Sequence, residues 1–243
     1  MPLDSLAPTL GATLLLGFVL GLKHATEPDH VLAVSTMVTH HRHVWKSTLV
    51  GACWGLGHTA ALIVAGTVLL LLRARMPTGL GLWLEMAVAA MIVLLGTRVV
   101  LGVLGQRTVH LHAHEHGGFR HIHLHAHERG HEGEHVHAHR LPPWHLQAVS
   151  VGVVHGLAGS GGLTLLVMQQ FHTLAGALVY VGVFGLGTIV GMLLLSGVIS
   201  LPLVAAAGRY GRLHRLLCGL AGTGSIVFGV LHGFSVYHSG GAL

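Results

Sequence analysis

The sequence predicts an all-α polytopic membrane protein whose chain crosses the bilayer six times. Three observations support this prediction. Hydrophobic residues make up 52% of the 243 residues and charged residues only 9%, with a mean hydropathy of +0.70, which excludes an ordinary soluble domain. Six apolar stretches each provide the roughly 20 residues that a membrane-spanning helix needs. Short polar segments between these stretches carry most of the Lys and Arg residues.

The six predicted spans are divided by one long polar insert. The first span qualifies only if a break is allowed at a polar motif in its middle. The predicted domains are a first three-span unit at 1–104, a cytoplasmic loop at 105–143 and a second three-span unit at 144–243. The predicted spans cover residues 9–38, 47–72, 79–104, 144–170, 174–201 and 213–237.

The basic residues predict the orientation of the spans. Segments after the first, third and fifth spans contain nine Lys and Arg residues, whereas the opposite side has Arg73 and Arg75. Because cytoplasmic loops are enriched in Lys and Arg, the protein is expected in the cell membrane with the insert in the cytoplasm and both termini outside. The basic residues form no patch with interleaved aromatics, so no nucleic-acid partner is expected. The nine are Arg42, Lys46, Arg107, Arg120, Arg129, Arg140, Arg209, Arg212 and Arg215.

The two three-span units also resemble each other. GLKH at 21–24 corresponds to GVVH at 152–155, and GACWGLGHT at 51–59 corresponds to GVFGLGT at 182–188. Since each unit has an odd number of spans, the second must run inverted through the bilayer, and the first helix of each is predicted to be broken. Inverted repeats with broken helices are a recurrent plan of secondary transporters. Chance similarity between glycine-rich apolar helices is the alternative.

The heptapeptide HATEPDH, which starts at His24, places two imidazoles and two acids inside the first span. In an unbroken helix Asp29 and His30 would lie about 140° and about 240° around the axis from His24, so the three could not meet on one ion. Pro28 lacks the N–H that would bond to the His24 carbonyl, and its ring clashes with that carbonyl. The motif therefore predicts a helix break that brings His24, Asp29 and His30 together, with Glu27 as a further pathway or ligand residue.

Two imidazoles and a carboxylate without a thiolate suit nickel, cobalt, copper(II) or zinc. His58 follows two glycines in the second span and is the candidate for a ligand from a neighbouring helix. His155, which corresponds to His24 in the second unit, is a further candidate. For His58 or His155 alone, a hydrogen bond between helices is the alternative interpretation, and for HATEPDH the alternative is an interfacial loop whose polar groups face water.

These motifs resemble those of a known family. His24, four residues and then Asp29-His30 resemble the metal-recognition signature of the nickel/cobalt transporter family, and LGHT at 56–59 is similar to its second signature. HGLAGSGGL at 155–163 resembles the six-span, urease-accessory-like branch of that family. The resemblance implies that HATEPDH and the histidine of LGHT bind the transported metal.

The insert at 105–143 is rich in histidine. HLHAHEHG at 110–117 recurs as HLHAHERG at 123–130, and EHVHAHR at 134–140 is a third, shorter copy. The insert has few apolar residues with which to build a core, so we expect it to be disordered without metal and to bind several divalent ions weakly. It could buffer imported ions, supply an export path, sense metal load or act only as a solvated linker. Its histidines are His110, His112, His114, His116, His121, His123, His125, His127, His131, His135, His137 and His139.

The function predicted from these features is transport of Ni²⁺ or Co²⁺, with uptake into the cytoplasm as the primary expectation. The metal ion is the substrate, and no organic cofactor is expected. Efflux, which the histidine-rich insert favours, is one alternative. A metal-sensing protein or a docking site for a cytoplasmic metallochaperone in urease or hydrogenase maturation is another.

A Zrt/Irt-like zinc transporter also has a histidine-rich loop after its third span, but the paired histidine motifs of that family are missing here. The sequence contains no P-loop, and the protein is not expected to be an enzyme. Expected partners are membrane lipid, the divalent ion and a metallochaperone.

Overall fold

The computed structural model describes the backbone of residues 7–72, 78–105, 108–116, 119–127, 143–158 and 173–240, and the side chains of 11–72, 79–105, 143–158 and 173–239. In this part of the chain there are seven helices. Their bounds are α1 (Ala7–His24), α2 (Pro28–Val38), α3 (Val44–Leu71), α4 (Thr78–Gly105), α5 (Trp144–Leu157), α6 (Leu174–Arg209) and α7 (Gly211–Gly240).

Four of these helices, α3, α4, α6 and α7, are long and apolar enough to cross a membrane. They account for the second, third, fifth and sixth predicted spans, and the helical membrane architecture is confirmed to that extent. Their outer faces expose large apolar side chains such as Leu94 (65%), Val198 (64%) and Leu231 (62%). A soluble protein rarely exposes so much apolar surface, so these faces suit membrane lipid. The count of six spans and the inverted repeat stay predictions.

The first predicted span is interrupted inside HATEPDH, as the motif predicts. α1 ends at His24 and α2 begins at Pro28. Glu27 between them has an extended backbone (φ −63°, ψ 147°), the conformation that a following proline favours. Backbone hydrogen bonds close the turn, from Thr26 N to Lys23 O (2.9 Å) and from Glu27 N to His24 O (3.1 Å). The His24 carbonyl thus keeps a partner within the break.

Two other boundaries differ from the expectation. The fifth span was predicted to end at 201, before Pro202, but α6 continues through this proline to Arg209. Proline removes one backbone donor, and in apolar surroundings the remaining backbone groups are best satisfied by continuing the helix. α5 covers only the first part of the fourth predicted span. The rest of that span, and with it the predicted break of the second unit, lies outside the described residues.

The helices pack in pairs that join the two halves of the chain. α3 contacts α5 and α6, α1 contacts α6, and α4 contacts α7. α1 runs parallel to α6, because Gly17 lies against Tyr180 and Gly21 lies against Phe184. The pairs α3 with α6 and α4 with α7 run antiparallel. α2 contacts α3, α4, α6 and α7, so the segment after the break lies among helices of both halves.

Close helix contacts recur at corresponding positions of the two halves. Gly21 lies so close to α6 that a side chain there would collide with the Phe184 carbonyl. Its counterpart in the second half, Gly152, lies equally close to the carbonyl of Trp54, which is the counterpart of Phe184. Glycine permits this approach because it has no Cβ. The α1–α6 and α5–α3 packings therefore use matching residues.

The insert contributes a β-hairpin to the otherwise helical described residues. β1 (Thr108–His116) and β2 (Phe119–His127) form a two-stranded antiparallel sheet whose register pairs His110 with His125 and His112 with His123. The alternating His-x-His sequence has the two-residue period of a strand. Residues 128–142, which contain His131, His135, His137 and His139, lie outside the described residues, and the expected disorder of the insert stays a prediction.

Candidate metal centre

The six candidate side chains of the transmembrane part lie in one cluster at the helix break. His24 ends α1, Glu27 lies in the break, and Asp29 and His30 occupy the first turn of α2. His58 comes from the middle of α3, and His155 from the last turn of α5. The exposed fractions of the four histidines are 5% for His24, 0% for His30, 1% for His58 and 2% for His155.

The first triad consists of His24, His30 and His58. One potential ligating atom of each lies within 4.8 Å of those of the other two. The Nε2 atoms of His24 and His58 are 3.2 Å apart, and the ring centroids of His24 and His30 are 4.5 Å apart. Three imidazole nitrogens at this separation can close on one divalent transition-metal ion with small side-chain shifts.

Two carboxylates orient two rings of this triad. The Nδ1 atom of His24 lies 3.0 Å from Oε2 of Glu27, and Nδ1 of His30 lies 3.0 Å from Oδ1 of Asp29. We assign the proton of each neutral ring to Nδ1, since a carboxylate accepts it there, which leaves Nε2 with the lone pair. Nε2 of His30 is buried and has no hydrogen-bond partner. A carboxylate behind a histidine is the usual support of a metal-binding imidazole.

A second triad, Asp29, His30 and His155, overlaps the first. Its potential ligating atoms also lie within 4.8 Å of one another. His155 donates from Nε2 to Oδ2 of Asp29 at 2.9 Å, and the backbone N–H of His30 donates to Oδ1 at 2.9 Å. Asp29 therefore links the two halves of the chain, and His30 belongs to both triads. The Nδ1 atoms of His58 and His155 are buried without a partner.

The close packing of α3 against α5 brings His58 and His155 together. Gly152 lies against Trp54, and Gly156 lies against His58 so closely that an added Cβ would be 2.5 Å from its carbonyl oxygen. With the helices parallel and in this contact, the rings of His58 and His155 come within 5.8 Å, measured between centroids. Small residues at helix contacts in membranes permit such approach.

Sequence reasoning did not identify Trp54 as part of the site. Its ring stacks on His30 with centroids 5.3 Å apart and an interplanar angle of 21°. The indole Nε1 is buried without a hydrogen-bond partner, and as a donor it cannot bind a cation. The sequence signal that could have identified Trp54 is its position one helical turn before His58, which places both residues on one face of α3.

Glu85 and His232 were also missed. Together with Glu27, Asp29 and His155 they line a cavity of about 290 Å³, which we call the acidic cavity. Glu85 lies near the start of α4 and His232 near the end of α7, so the acidic cavity lies on the side of the molecule opposite the insert. Each is an ionisable residue within a predicted apolar span, which is itself a functional signal.

A second cavity, the insert-side cavity, has a volume of about 510 Å³ and lies where α2 ends and α5 begins. His40, His41, Arg98 and Trp144 are among its lining residues. Burial lowers the pKa of His40, and the Arg98 guanidinium lowers it further. Burial also lowers the pKa of His41, with contributions from His40 and Lys46. Both imidazoles are therefore neutral near neutral pH and have lone pairs that can bind metal.

An apolar layer separates the triads from the insert-side cavity. Along α3, Val50 lines that cavity, Trp54 follows one turn later and His58 one turn after that. Along α2, His30 is followed one turn later by Val34. The members of the layer are 0–3% exposed and belong to one apolar core: Val34, Val50, Trp54, Val99 and Ala148.

Comparison with known proteins places the chain in a family. No family model and no solved structure matches it. The urease accessory protein UreH of Bacillus sp. (strain TB-90) is 33% identical to it over 217 residues, which are 89% of this chain and 88% of that protein. This relationship agrees with the urease-accessory-like character of the sequence motifs. The chain therefore belongs to the family of the urease accessory protein UreH.

Proposed function

We propose that this protein transports Ni²⁺ or Co²⁺ across the membrane by way of the two triads, and that the direction is uptake. The observation that carries the proposal is the burial of four imidazoles and a bridging carboxylate at a helix break between long apolar helices. Ionisable residues are costly in apolar surroundings and persist there where they bind or conduct an ion.

The donor set favours late first-row divalent ions. Imidazole nitrogens suit nickel, cobalt, copper(II) and zinc, whereas magnesium and calcium require more oxygen ligands and copper(I) more sulfur. The sulfur atoms of Cys53 and Cys218 belong to neither triad. UreH is named as a urease accessory protein. Because urease is a nickel enzyme, this relationship supports nickel among the candidate ions.

We further propose six spans in two inverted repeats, with the insert in the cytoplasm. Three packing features support this arrangement. α1 lies parallel to α6 and α5 lies parallel to α3, so the first helix of each unit contacts the second helix of the other unit in the same direction, as two inverted units require. The matching contacts of Gly21 and Gly152 support the same equivalence. α4 and α7, the last helices of the two units, pair with each other.

In this mechanism the ion reaches the triads through the acidic cavity and exchanges water for imidazole nitrogen. Glu27 and Asp29 hold the His24 and His30 rings so that Nε2 faces the ion, and Asp29 offsets part of its charge. The apolar layer must open before the ion reaches the insert-side cavity, where neutral His40 and His41 can receive it. The histidine-rich insert then buffers the released ion.

The test is flux of radioactive nickel or cobalt into proteoliposomes that contain the full chain in one orientation. We expect saturable metal movement that the His30→Gln variant lacks. The matched control is His238→Gln, since His238 is exposed at the end of α7, away from the cluster. Absence of flux and of metal binding in the wild-type chain would contradict the proposal.

Two other functions give different results in cells. Uptake raises the cellular metal content, whereas efflux lowers it and increases resistance to the metal. A sensor or docking site for a metallochaperone would leave flux in proteoliposomes at the background level while still binding metal. Measurement of flux and cellular content in parallel therefore distinguishes the three.

A further inference from the structure

The carboxylates that the structure describes are concentrated at one place. Among the side chains that the structure describes, three are acidic: Glu27, Asp29 and Glu85. All three line the acidic cavity, although Glu85 comes from a different helix, and neither Lys nor Arg lines it. The insert-side cavity has the opposite character, with Arg98 in its wall and no carboxylate. A cleft lined by one sign of charge with apolar walls concentrates counterions.

Glu85 and His232 belong to neither triad, so coordination at the triads does not account for them. Glu85 is the acid of α4, whose other residues include a single charged group, Arg98, three to four turns away. His232 stacks on Phe228 with an interplanar angle of 4° and a centroid separation of 5.7 Å, which fixes its ring at the cavity wall. Val88 and Phe228 give the same cavity apolar walls.

A separate observation indicates a ligand in this cavity. His155 lines it, is 2% exposed, and has a buried Nδ1 atom without a hydrogen-bond partner. Because His155 donates from Nε2 to Asp29, its neutral ring has the lone pair on Nδ1. A buried lone pair without a donor is costly unless a cation or water fills the position.

We propose that Glu85 and His232, together with Glu27, form a capture site for a hydrated divalent transition-metal cation, from which the ion passes by His155 to the two triads. The inference rests on the proposed function and adds the place and the side of first binding. Carboxylate oxygens and one imidazole suit a cation that still keeps part of its water, and the nitrogen-rich triads suit it after dehydration. Capture takes place on the side opposite the insert.

The first experiment measures metal flux as a function of Ni²⁺ concentration in oriented proteoliposomes that contain the full chain. Glu85→Gln and His232→Gln should each raise the half-saturating concentration roughly tenfold, since each removes a capture ligand. The maximal rate should stay within about twofold of wild type because the triads are intact. Glu85→Asp should recover part of the loss, and the control His238→Gln should behave as wild type. Unchanged half-saturation in both Gln variants would overturn the capture site.

The second experiment does not depend on flux. Cys53 and Cys218 are replaced by Ala, and Glu85→Cys is labelled by a thiol reagent that cannot cross the membrane. Labelling should proceed from the side opposite the insert and slow when Ni²⁺ is present, because Glu27 and His232 remain to bind it. Trp83→Cys is the matched control, since Trp83 is 71% exposed on the outer face of the same helix, and Ni²⁺ should not affect its labelling.

Labelling of Glu85→Cys only from the insert side, or without any effect of Ni²⁺, would refute the proposal. A failure of the proposed function has a different signature. In that case the wild-type chain itself shows neither flux nor His30-dependent nickel binding, whatever residue occupies position 85.

Discussion

At the scale of single residues, His30 is the histidine that the two triads share. Its Nδ1 atom is held by Asp29, its Nε2 atom is buried without a partner, and its ring lies between those of His24 and His155, at centroid distances of 4.5 Å and 4.2 Å. Because it belongs to both triads, its loss removes a ligand from each. Loss of His155 affects one triad only.

We therefore expect His30→Gln to reduce nickel affinity by at least about 100-fold and His155→Gln by about 10-fold, the range that ligand and supporting-residue changes produce. Asp29→Asn should resemble His30→Gln, because the amide cannot accept from both imidazoles as the carboxylate does. Equilibrium binding of nickel to detergent-solubilised protein measures these effects. If all three variants instead showed equal, small losses of nickel affinity together with lower melting temperatures, the cluster would have a packing role.

The triads also predict a pH dependence. Nickel binding to a histidine requires its lone pair, so protons compete with the metal for the Nε2 atoms of His24, His30 and His58. The apparent affinity should fall as the pH is lowered into the acid range, and binding in that range should release protons. Calorimetry in two buffers with different ionisation enthalpies measures the number of protons released per nickel ion bound. An affinity that is constant over this range would point to carboxylate and carbonyl ligands.

The sequence predicted the residues of the first triad because its information is local. HATEPDH holds His24, Asp29 and His30 within one turn of a break, and Pro28 fixes where the break falls. His58 was predicted from its flanking glycines. The bridge that Asp29 forms between His30 and His155 was not predicted, because His155 is 126 positions away and reaches Asp29 only through the packing of α5.

At the scale of elements, two prolines have different consequences. Pro28 begins α2, while Pro202 lies inside α6 without ending it. Near Pro28 the freed backbone groups find local partners, since the Lys23 carbonyl accepts from both the backbone and the hydroxyl of Thr26. Proline alone therefore does not decide whether a helix ends.

The contact between α3 and α5 predicts the effect of enlarging a glycine at that contact. Gly152→Ala places a methyl group against the Trp54 carbonyl and should force α5 away from α3. We expect a loss of about 1–3 kcal/mol in stability, as for other overpacked contacts, and weaker nickel binding because His155 moves with α5. Thermal unfolding and nickel titration measure the two effects.

The matched control for that prediction is Gly182→Ala. Gly182 lies in α6, where an added Cβ meets no atom within 4 Å, and alanine is a better helix former than glycine. The melting temperature of the Gly182→Ala variant should equal or exceed that of the wild type. A similar loss of stability in both variants would show that the effect comes from glycine replacement in general and not from the α3–α5 contact.

At the scale of the whole molecule, the insert and the helical cluster are different elements of the chain. The β-hairpin pairs β1 with β2, and among the side chains that the structure describes the cluster is built from α1, α2, α3 and α5. Replacement of residues 106–142 by a short flexible linker should therefore keep most of the flux and reduce the number of nickel ions bound per chain. Equilibrium dialysis and the flux assay measure both quantities. Loss of flux in a correctly folded variant would make the insert part of the pathway.

Long-range organisation is where sequence reasoning is weakest. The apolar spans and the helix break follow from composition and one proline, and both were predicted. Glu85 and His232 were not predicted, because they lie far apart in the chain and in no recognisable motif. Their meeting depends on the pairing of α4 with α7, which the spacing of apolar residues does not specify.

The apolar layer has a consequence for how electrical potential acts on the protein. In the proposed transport path, water that fills the acidic cavity would carry the potential of its own side toward the triads, so most of the transmembrane voltage would fall across Val34, Val50, Trp54 and their neighbours. A divalent ion then gains about 4.6 kcal/mol per 100 mV when it crosses this layer toward the negative side, from about 2.3 kcal/mol per charge. Binding at the triads from the acidic cavity should accordingly depend little on voltage, while the rate of release depends on it steeply. In the proposed orientation, with the insert in the cytoplasm, a negative cytoplasm would thus favour net uptake even without a second driving ion.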